Sequence, residues 1–392
     1  MTVYWLLALS GLGFLSVVFA ELVRDGYHIA GHYWPPIQRY HMLHHKAYRR
    51  DLSMVSVEAY CKAQLYNDVP EAIAMIVAGA ALALVTQLSV LWIGCVYSLG
   101  FLMTAVGRSQ GWLLATDLTH KPGALDTIPS QWTVNRTYHW RHHFDQGTAY
   151  YCGHFTLMDQ VLGTALSLKG KVIGITGASG SLGRALTAEL QRRGAKVVAF
   201  TSSTEAWFEE GIDVIQWHTG AEEALAERLQ TVDILILNHG LNVHGDRTFD
   251  AIQRSFECNT ISVWKLAELF LSTVQASEHK ALKELWINTS EAEVNPAFSP
   301  LYELSKRTLG NLITLRRLDA PCTIRKLVLG PFKSNLNPIG VMSPEFVARG
   351  IVFLAQRDIR NIIVTINPLT YVAFPIKELF QTLYFRLCSR TK

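Results

Sequence analysis

The sequence has few charged residues and no closely paired cysteines. Charged side chains make up only 17% of the 392 residues, and the formal net charge of +4 gives no basis for a nucleic-acid partner. The six cysteines are scattered without a CxxC pair, which argues against a zinc ribbon or a disulfide framework and favours a reducing compartment. Neither a CxxCH haem motif nor the cysteine spacing of an iron–sulfur protein occurs, so neither kind of electron-transfer centre is predicted.

Two long apolar runs accompany this lack of charge. Residues 3–20 form an uncharged stretch just long enough to cross a bilayer. A signal peptide is the alternative, but no basic segment precedes the run, so a retained helix is favoured. Residues 72–106 have the length of two short spans and predict a hairpin. Lys and Arg residues favour the cytoplasmic side for residues 21–70, and the hairpin would return residues 108–160 to that side.

Histidines are concentrated in the first half of the chain, where ten of the fourteen precede residue 155. One HxxxH and two HxxHH patterns each place imidazoles on one helical face, because residues three and four apart are neighbours on a helix. Neutral imidazole binds iron, zinc and copper, and one metal takes about four protein ligands. The pattern therefore predicts two metal ions. These patterns contain eight histidines, and His120 is a ninth candidate. The candidate ligands are His28, His32, His41, His44, His45, His120, His139, His142 and His143.

A single histidine box is often only a solvated helix face, so the specificity lies in several boxes together with membrane spans. HxxxH, HxxHH, a central histidine and a final HxxHH resemble the fatty acid hydroxylase/sterol desaturase superfamily. Residues 151–164, YCGHFTLMDQVLGT, resemble the family's NYG-x-x-F-x-x-WDR-x-FGT ending, with Cys152, Met158 and Gln160 as departures. The resemblance covers residues 1–165. It implies a helical membrane domain with two irons that activate O2 and attack a C–H bond of a lipid.

The same resemblance implies a partner and leaves one ligand position open. The chain has no HPGG haem motif of the cytochrome b5 kind, so electrons are expected from an external donor. The family's central box often has a second histidine, where this chain offers Thr116 and Asp117 near His120. His154 lies outside the boxes, and a supporting role is favoured over metal binding there.

A different pattern begins at Lys169. VIGIT is typical of a buried strand, the glycine-rich TGASGSLG follows, and strands then alternate with helices through KVVAF, DILIL, ELWINT and TIRKLVL. This alternation predicts an α/β Rossmann-like domain with a doubly wound parallel sheet over residues 169–392. A glycine-rich loop between a strand and a helix lets a pyrophosphate approach the backbone and the helix N-terminus.

Further motifs follow the glycine loop in order. Asn-His-Gly at 238–240 ends a strand, Asn259 lies in FECNTISV, Ser290 follows ELWINT, and Tyr302 and Lys306 form a YxxxK motif. Residues 169–392 thereby resemble a short-chain dehydrogenase/reductase. The resemblance implies that Tyr302 is the general acid or base, with its pKa lowered by Lys306, which also holds the nicotinamide ribose. It also implies that Ser290 binds the substrate carbonyl and that Asn259 holds a relay water. The expected cofactor-binding residues are Gly177, Ser179, Gly180, Gly183, Ser202, Asn238 and Gly240.

NADP(H) is expected as the cofactor in preference to NAD(H). Thr201, Ser202 and Ser203 follow the second strand, where many relatives carry a ribose-binding carboxylate, so no negative charge there repels a 2′-phosphate. Two positions depart from the family pattern. Ser181 replaces a glycine of TGxxxGxG, and His218 stands where many relatives place an aspartate near the adenine.

The two halves together resemble bacterial proteins described as bifunctional sterol desaturase/short-chain dehydrogenases. The expected function is an O2-dependent di-iron lipid hydroxylase or desaturase fused to an NAD(P)(H)-dependent oxidoreductase that acts on a lipid alcohol, aldehyde or ketone. In one alternative the histidine region is mainly a metal-stabilised anchor for the dehydrogenase. In another, the dehydrogenase domain only binds a partner. Residues 371–388 predict an apolar-rich helix that lies on the membrane, lines the substrate entry, or packs within the domain or a homodimer.

Overall fold

The structure is a computed structural model that describes residues 3–390. The chain divides into two compact units, Met1–Ala165 and Leu166–Lys392. The first unit is helical and the second is built on a parallel sheet.

Long apolar helices form the first unit. Helix α1 spans Val3–Tyr33, α2 Pro35–Lys46, α3 Val57–Ala63, α4 Val69–Thr86 and α5 Trp92–Ser109. A single π-helical turn, Gln64–Asp68, joins α3 to α4 without a break in the helix. The segments Val3–Tyr33, Val57–Thr86 and Ser89–Ser109 are long and apolar enough to cross a membrane.

The expected hairpin within the second apolar block is present. Helix α4 ends at Thr86, and the next residue, Gln87, has a left-handed φ of 58° that reverses the chain before α5 begins. Close packing of α5 on α1 depends on a small residue, because a Cβ at Gly94 would lie 2.6 Å from the carbonyl oxygen of Ser16.

Two short helices complete the first unit. Helix α6, Arg136–Phe144, carries the final histidine box, and the Asn135 side chain caps it by accepting a hydrogen bond of 2.9 Å from the Tyr138 amide. Helix α7 spans Leu157–Leu162. Its Asp159 accepts hydrogen bonds from the amides of Tyr151 and Cys152 and from the Tyr138 hydroxyl, so it anchors the segment that follows the box.

The second unit is a doubly wound α/β domain, as predicted. Its seven strands are β1 Val172–Thr176, β2 Lys196–Thr201, β3 Asp213–Gln216, β4 Ile234–Leu237, β5 Glu284–Asn288, β6 Thr323–Leu329 and β7 Asn361–Val364. All neighbours pair in parallel, in the order β3-β2-β1-β4-β5-β6-β7. Strands β1 and β4 are adjacent at the reversal of strand order, and the carboxyl edge at such a point is where open α/β sheets bind ligands.

Helices cover both faces of this sheet. They are α8 Ser181–Arg192, α9 Ala226–Gln230, α10 Phe249–Phe256, α11 Ser262–Ser272, α12 His279–Leu282, α13 Pro300–Arg316, α14 Pro344–Ala355 and α15 Thr370–Cys388. One buried apolar cluster joins α8 and α14 to one face, and another joins α11 and α13 to the other. Strands β1, β4 and β6 are buried on both sides, which explains their continuous apolar runs.

Candidate functional site

All nine predicted histidine ligands come together in the first unit. Within each of two groups, the potential ligand nitrogens lie within 4.8 Å of one another. The first group is His28, His32, His41, His45 and His142, and the second is His44, His120, His139 and His143. The carboxyl end of α1, helix α2, the segment after α5 and helix α6 supply these side chains.

The Nε2 atoms of each group converge at distances suited to a metal. Neighbouring Nε2 atoms are 2.9–3.1 Å apart in the first group and 2.9–3.2 Å apart in the second. Two nitrogens bound to one metal at about 2.1 Å and at right angles would be separated by about 3.0 Å. The donor sets therefore fit a metal ion at the centre of each group.

Hydrogen bonds on the other side of three rings fix their tautomers. The Nδ1–H groups of His41, His120 and His142 donate to Asn67 Oδ1 at 3.0 Å, Asp117 Oδ1 at 2.9 Å and the Ala149 carbonyl at 2.8 Å. Since a neutral imidazole has a single N–H, the Nε2 atoms of these rings carry lone pairs. Lone pairs that face one another cannot form hydrogen bonds, but they can all bind one cation.

Burial keeps these imidazoles neutral. Burial first, and then the neighbouring histidines, lowers the pKa of His45 to about 3. The same two causes hold the pKa of His44, His139 and His143 well below the usual range. A neutral ring is the form that binds a metal, so the site is prepared for binding at neutral pH.

Each HxxHH box divides its histidines between the two groups. His41 and His45 belong to the first group and His44 to the second, whereas His142 belongs to the first and His139 to the second. The boxes thus bridge the two candidate metal positions. The sequence predicted the nine residues, eight of them by spacing, but could not predict this partition.

Several polar residues near the histidines escaped the sequence analysis. Arg24, within α1, makes ion pairs with Glu21 at 3.3 Å and Glu71 at 3.7 Å. The Asp25 carboxylate accepts a hydrogen bond of 2.9 Å from the Gly153 amide. A Cβ at Gly153 would lie 2.6 Å from the Arg24 guanidinium carbon, which explains a glycine in the segment after the final box. No regular spacing in the sequence marks this charge network.

The glycine loop of the second unit has the form expected for a dinucleotide site. Gly177 adopts a left-handed φ of 64°, and a Cβ at Gly183 would overlap the Gly177 carbonyl oxygen. Gly180 caps α8, which begins at Ser181, so the free amides of the first helical turn are available to a pyrophosphate. The residues present therefore fit a bound dinucleotide.

The end of β2 lies against this loop. Thr201 Oγ1 donates to Ser179 Oγ at 2.8 Å, and Ser202 is exposed beside it. The Arg184 guanidinium, which the sequence analysis did not single out, donates to the Ser179 carbonyl at 2.9 Å. A cation thus stands next to the position where a 2′-phosphate of NADP is bound in Rossmann domains.

The Asn-His-Gly segment at 238–240 adjoins the same edge. The Asn238 amide donates to Thr176 Oγ1 at 3.0 Å, and Asn238 Oδ1 accepts from Asn288 at 3.2 Å. A Cβ at Gly240 would lie 3.2 Å from Asn259 Oδ1 and 4.0 Å from Lys306 Nζ. The lack of a side chain there allows the candidate catalytic residues to approach the strand end.

Ser290, Tyr302 and Lys306 come together after β5 and at the start of α13. Burial raises the pKa of Tyr302, and a hydrogen bond with Ser290 opposes that rise. Lys306 Nζ lies 5.9 Å from the centre of the Tyr302 ring and donates to the Asn288 carbonyl at 2.9 Å. Burial lowers the pKa of Lys306 to about 8. The three residues that the motifs predicted are thus close together. The pKa of Tyr302, however, is set mainly by burial and not by Lys306.

Asn259 supports the backbone in this structure. It lies in a π-helical turn, Glu257–Ile261. Its Oδ1 accepts from the Leu241 amide at 2.7 Å, and its Nδ2 donates to the Leu241 carbonyl at 2.8 Å and Ser305 Oγ at 3.0 Å. Its amide therefore positions the loop after Gly240, while a role in holding a relay water stays a prediction.

Two protein-family models match the chain. The fatty acid hydroxylase model covers residues 13–164 and the short chain dehydrogenase model covers residues 171–315. The first match contains all nine clustered histidines, and the second contains the glycine loop, Ser290, Tyr302 and Lys306. These matches confirm the fusion of two domains that the motifs predicted.

Known proteins resemble the chain as a whole and in its second unit. A short chain dehydrogenase from Burkholderia cenocepacia in complex with NADP is 18% identical, with a TM-score of 0.47 over 57% of this chain and 100% of that chain. A short-chain dehydrogenase/reductase from Serratia marcescens is 18% identical, with a TM-score of 0.44 over 51% and 98%. The monoglucosyldiacylglycerol epimerase of Synechocystis sp. is 54% identical over 412 aligned residues that span 100% of both chains. This chain therefore belongs to the family of that epimerase, as an enzyme that joins a fatty acid hydroxylase domain to a short-chain dehydrogenase domain.

Proposed function

We propose that this protein is a membrane-bound glycolipid epimerase. It inverts one carbinol carbon of the sugar head group of a glucosyldiacylglycerol, and the short-chain dehydrogenase domain performs the reaction. The observation that carries the proposal is the convergence of Ser290, Tyr302 and Lys306 in a chain that matches the Synechocystis epimerase over its full length.

The residues of the second unit suit such a reaction. A bound NADP would supply a hydride acceptor for the carbinol carbon and then the same hydride for the opposite face of the resulting ketone. Tyr302 takes the hydroxyl proton during oxidation and returns it during reduction. Ser290 holds the oxygen by a hydrogen bond, and the Lys306 charge stabilises the deprotonated tyrosine. Hydride and proton both return to the sugar, so the reaction has no net oxidant or reductant.

The preference for NADP has support from the phosphate loop. Ser202 follows β2 in place of a carboxylate, and Arg184 lies one hydrogen bond from Ser179, which itself contacts the end of β2. Arg184 therefore offers a cation to a 2′-phosphate, in addition to the lack of repulsion expected from the sequence.

A second candidate function belongs to the nine-histidine site. Two irons held by the two groups would supply O2 activation, and the lipid hydroxylation or desaturation implied by the fatty acid hydroxylase resemblance would occur there with an external electron donor. The convergence of Nε2 lone pairs supports metal binding. We also propose that both sites lie on the cytoplasmic side of the membrane and that the protein forms a homodimer.

Two sets of variants test the two functions in the full-length protein reconstituted in vesicles. Tyr302→Phe removes the proton carrier, and we expect it to abolish head-group inversion while the protein still binds NADPH. His44→Ala and His142→Ala each remove one ligand from a different group, and O2-dependent product formation should cease in both. Undiminished inversion in Tyr302→Phe would overturn the first function. Undiminished O2-dependent activity in both histidine variants would overturn the second.

A further inference from the structure

Helix α15 exposes a continuous apolar stripe. Phe374 and Glu378 face the interior of the second unit, whereas the opposite side of the helix is exposed, with Phe380 67% and Leu387 84% accessible. The spacing of the exposed residues follows the helical period, so they form one face. The stripe is Val372, Ile376, Leu379, Phe380, Leu383 and Leu387.

The charges around this stripe are positive. Lys377, Glu378 and Arg386 are the charged residues of α15, and Arg390 follows its end. Glu378 is buried and pairs with Lys326 at 2.9 Å, and Lys377 pairs with the buried Glu293. The exposed charges beside the stripe are therefore the cations Arg386 and Arg390. An apolar face with cationic flanks fits the surface of a bilayer that contains anionic lipids.

Other exposed apolar side chains lie at the carboxyl edge of the sheet, where α15 begins. Phe298, which is 97% accessible, follows β5, and Ile339 and Val341 follow β6. Helix α15 itself follows β7. Because the carboxyl ends of parallel strands share one edge, these residues and the start of α15 lie on the side of the domain that carries Ser290 and Tyr302.

The buried side of α15 is bonded to the segment after Ser290. Glu291 accepts a hydrogen bond of 3.0 Å from Thr370 Oγ1, and Glu293 pairs with Lys377 at 2.5 Å. Gly310 of α13 makes room for the Glu293 carboxylate, which a Cβ there would overlap. The position of α15 is thereby tied to the segment that begins at Ser290, whose φ is 83°.

We infer that α15 is an interfacial helix that docks the dehydrogenase domain on the bilayer and presents its carboxyl edge to glycolipid head groups. This inference rests on the proposed function for the substrate. The occupant of the stripe is the lipid surface, since the same chain carries three helices apolar enough to span a membrane, the stripe has cationic flanks, and the substrate's acyl chains stay in the bilayer. A docked α15 would let the sugar reach Tyr302 without extraction of the lipid.

Spin-label accessibility tests the docking without reference to activity. In the full-length chain with Cys388→Ser, a label is placed at Leu383→Cys or, as a matched control, at Glu227→Cys, an exposed position of α9. The protein is reconstituted in vesicles of mixed zwitterionic and anionic phospholipid. We expect O2, which concentrates in lipid, to relax the label at 383 more than a water-soluble nickel chelate does, with the reverse order at 227.

Two results would overturn the inference. The label at 383 could behave like that at 227, which means that the stripe faces water. Alternatively, neither reagent could reach it while spin–spin coupling to a second copy appears, which means a dimer interface. Either result leaves the proposed epimerase reaction untouched, because head-group inversion is measured separately.

An activity comparison completes the experiment. Leu383→Glu should raise the KM for a long-chain glycolipid in vesicles by roughly tenfold or more while leaving kcat for a short-chain, water-soluble analogue unchanged. Glu227→Gln should change neither value. An equal loss with both substrates would contradict the docking role.

Discussion

Asp117 Oδ1 accepts a hydrogen bond of 2.9 Å from His120 Nδ1, so a carboxylate orients the central histidine. The hydroxyls of Tyr48 and Tyr60 donate to the other Asp117 oxygen at 3.0 and 3.2 Å. Although burial opposes ionisation, the neighbouring His120 and Arg108 and the hydrogen bonds from His120 and Tyr48 keep the pKa of Asp117 below its usual range. The residue that departs from the family's second central histidine therefore supports His120 from the side away from the candidate metal.

We expect Asp117→Ala to weaken metal binding by about 10- to 100-fold, because an oriented imidazole loses its partner. The measurement is competition for iron against a chelator of known affinity. Glu58→Gln is the control, since Glu58 is an exposed residue paired with Lys62. Equal metal affinity in Asp117→Ala and the native protein would show that this carboxylate has no part in metal binding.

Gly153→Ala should destabilise the first unit by about 1–3 kcal/mol, because the new methyl group would displace the Arg24 guanidinium from Glu21 and Glu71. Thermal unfolding of the purified protein measures the change. At Gly147, in the same part of the chain, a Cβ would lie no closer than 3.9 Å to a neighbouring atom. Gly147→Ala should therefore be tolerated, and a similar fall in Tm for both variants would contradict the packing explanation.

Arg184→Ala should weaken NADPH binding by about tenfold or more while changing NADH affinity little, because only NADPH has the 2′-phosphate that the guanidinium would bind. Fluorescence quenching gives both dissociation constants. Arg254→Ala, on α10 with an exposed pair to Asp250, serves as the matched control. An equal loss of affinity for NADPH and NADH would mean that Arg184 supports the glycine loop and does not bind the 2′-phosphate.

We expect the proposed inversion to become slower at alkaline pH because of Lys306. Its pKa is lowered to about 8, so the ammonium is charged below that pH and loses its proton as the pH rises through it. Tyr302, whose pKa burial already raises, is then harder to ionise. The kcat/KM for inversion should fall above about pH 8. The Lys306→Met variant should have a low kcat/KM at every pH and should not show this fall above pH 8. The Lys265→Met variant, changed at a half-exposed position, should still show it. A break near pH 8 that survives in Lys306→Met would assign it to another group.

Strands β1, β2, β4, β5 and β6 could be predicted because parallel strands covered on both faces have continuous apolar runs. β7, Asn361–Val364, was not predicted, because it is a short edge strand whose side chains are only alternately buried. β3, Asp213–Gln216, was not predicted, since it is an edge strand with mostly exposed side chains and has no such run. Eight of the nine histidines were predicted from their spacing, and His120 was added as a ninth candidate. Their partition was not predicted, because His44 and His45 are adjacent in sequence but face different groups.

Other parts of the sites depend on the tertiary structure. Asn67 accepts the hydrogen bond from His41 and lies 26 residues after it, on a π-helical turn that no sequence pattern predicts. Arg184 reaches Ser179 only because α8 begins directly after the glycine loop. No sequence motif predicts the proposed sugar substrate, which rests on the resemblance to the Synechocystis epimerase.

The proposed inversion proceeds by oxidation and reduction in the dehydrogenase domain. It can be followed with deuterium placed on the carbinol carbon of a glucosyldiacylglycerol, with full-length protein, NADP and no O2. We expect an epimeric product that retains the deuterium at the same carbon, and no such product with Tyr302→Phe. Replacement of the deuterium by solvent hydrogen, or a strict requirement for O2, would contradict it.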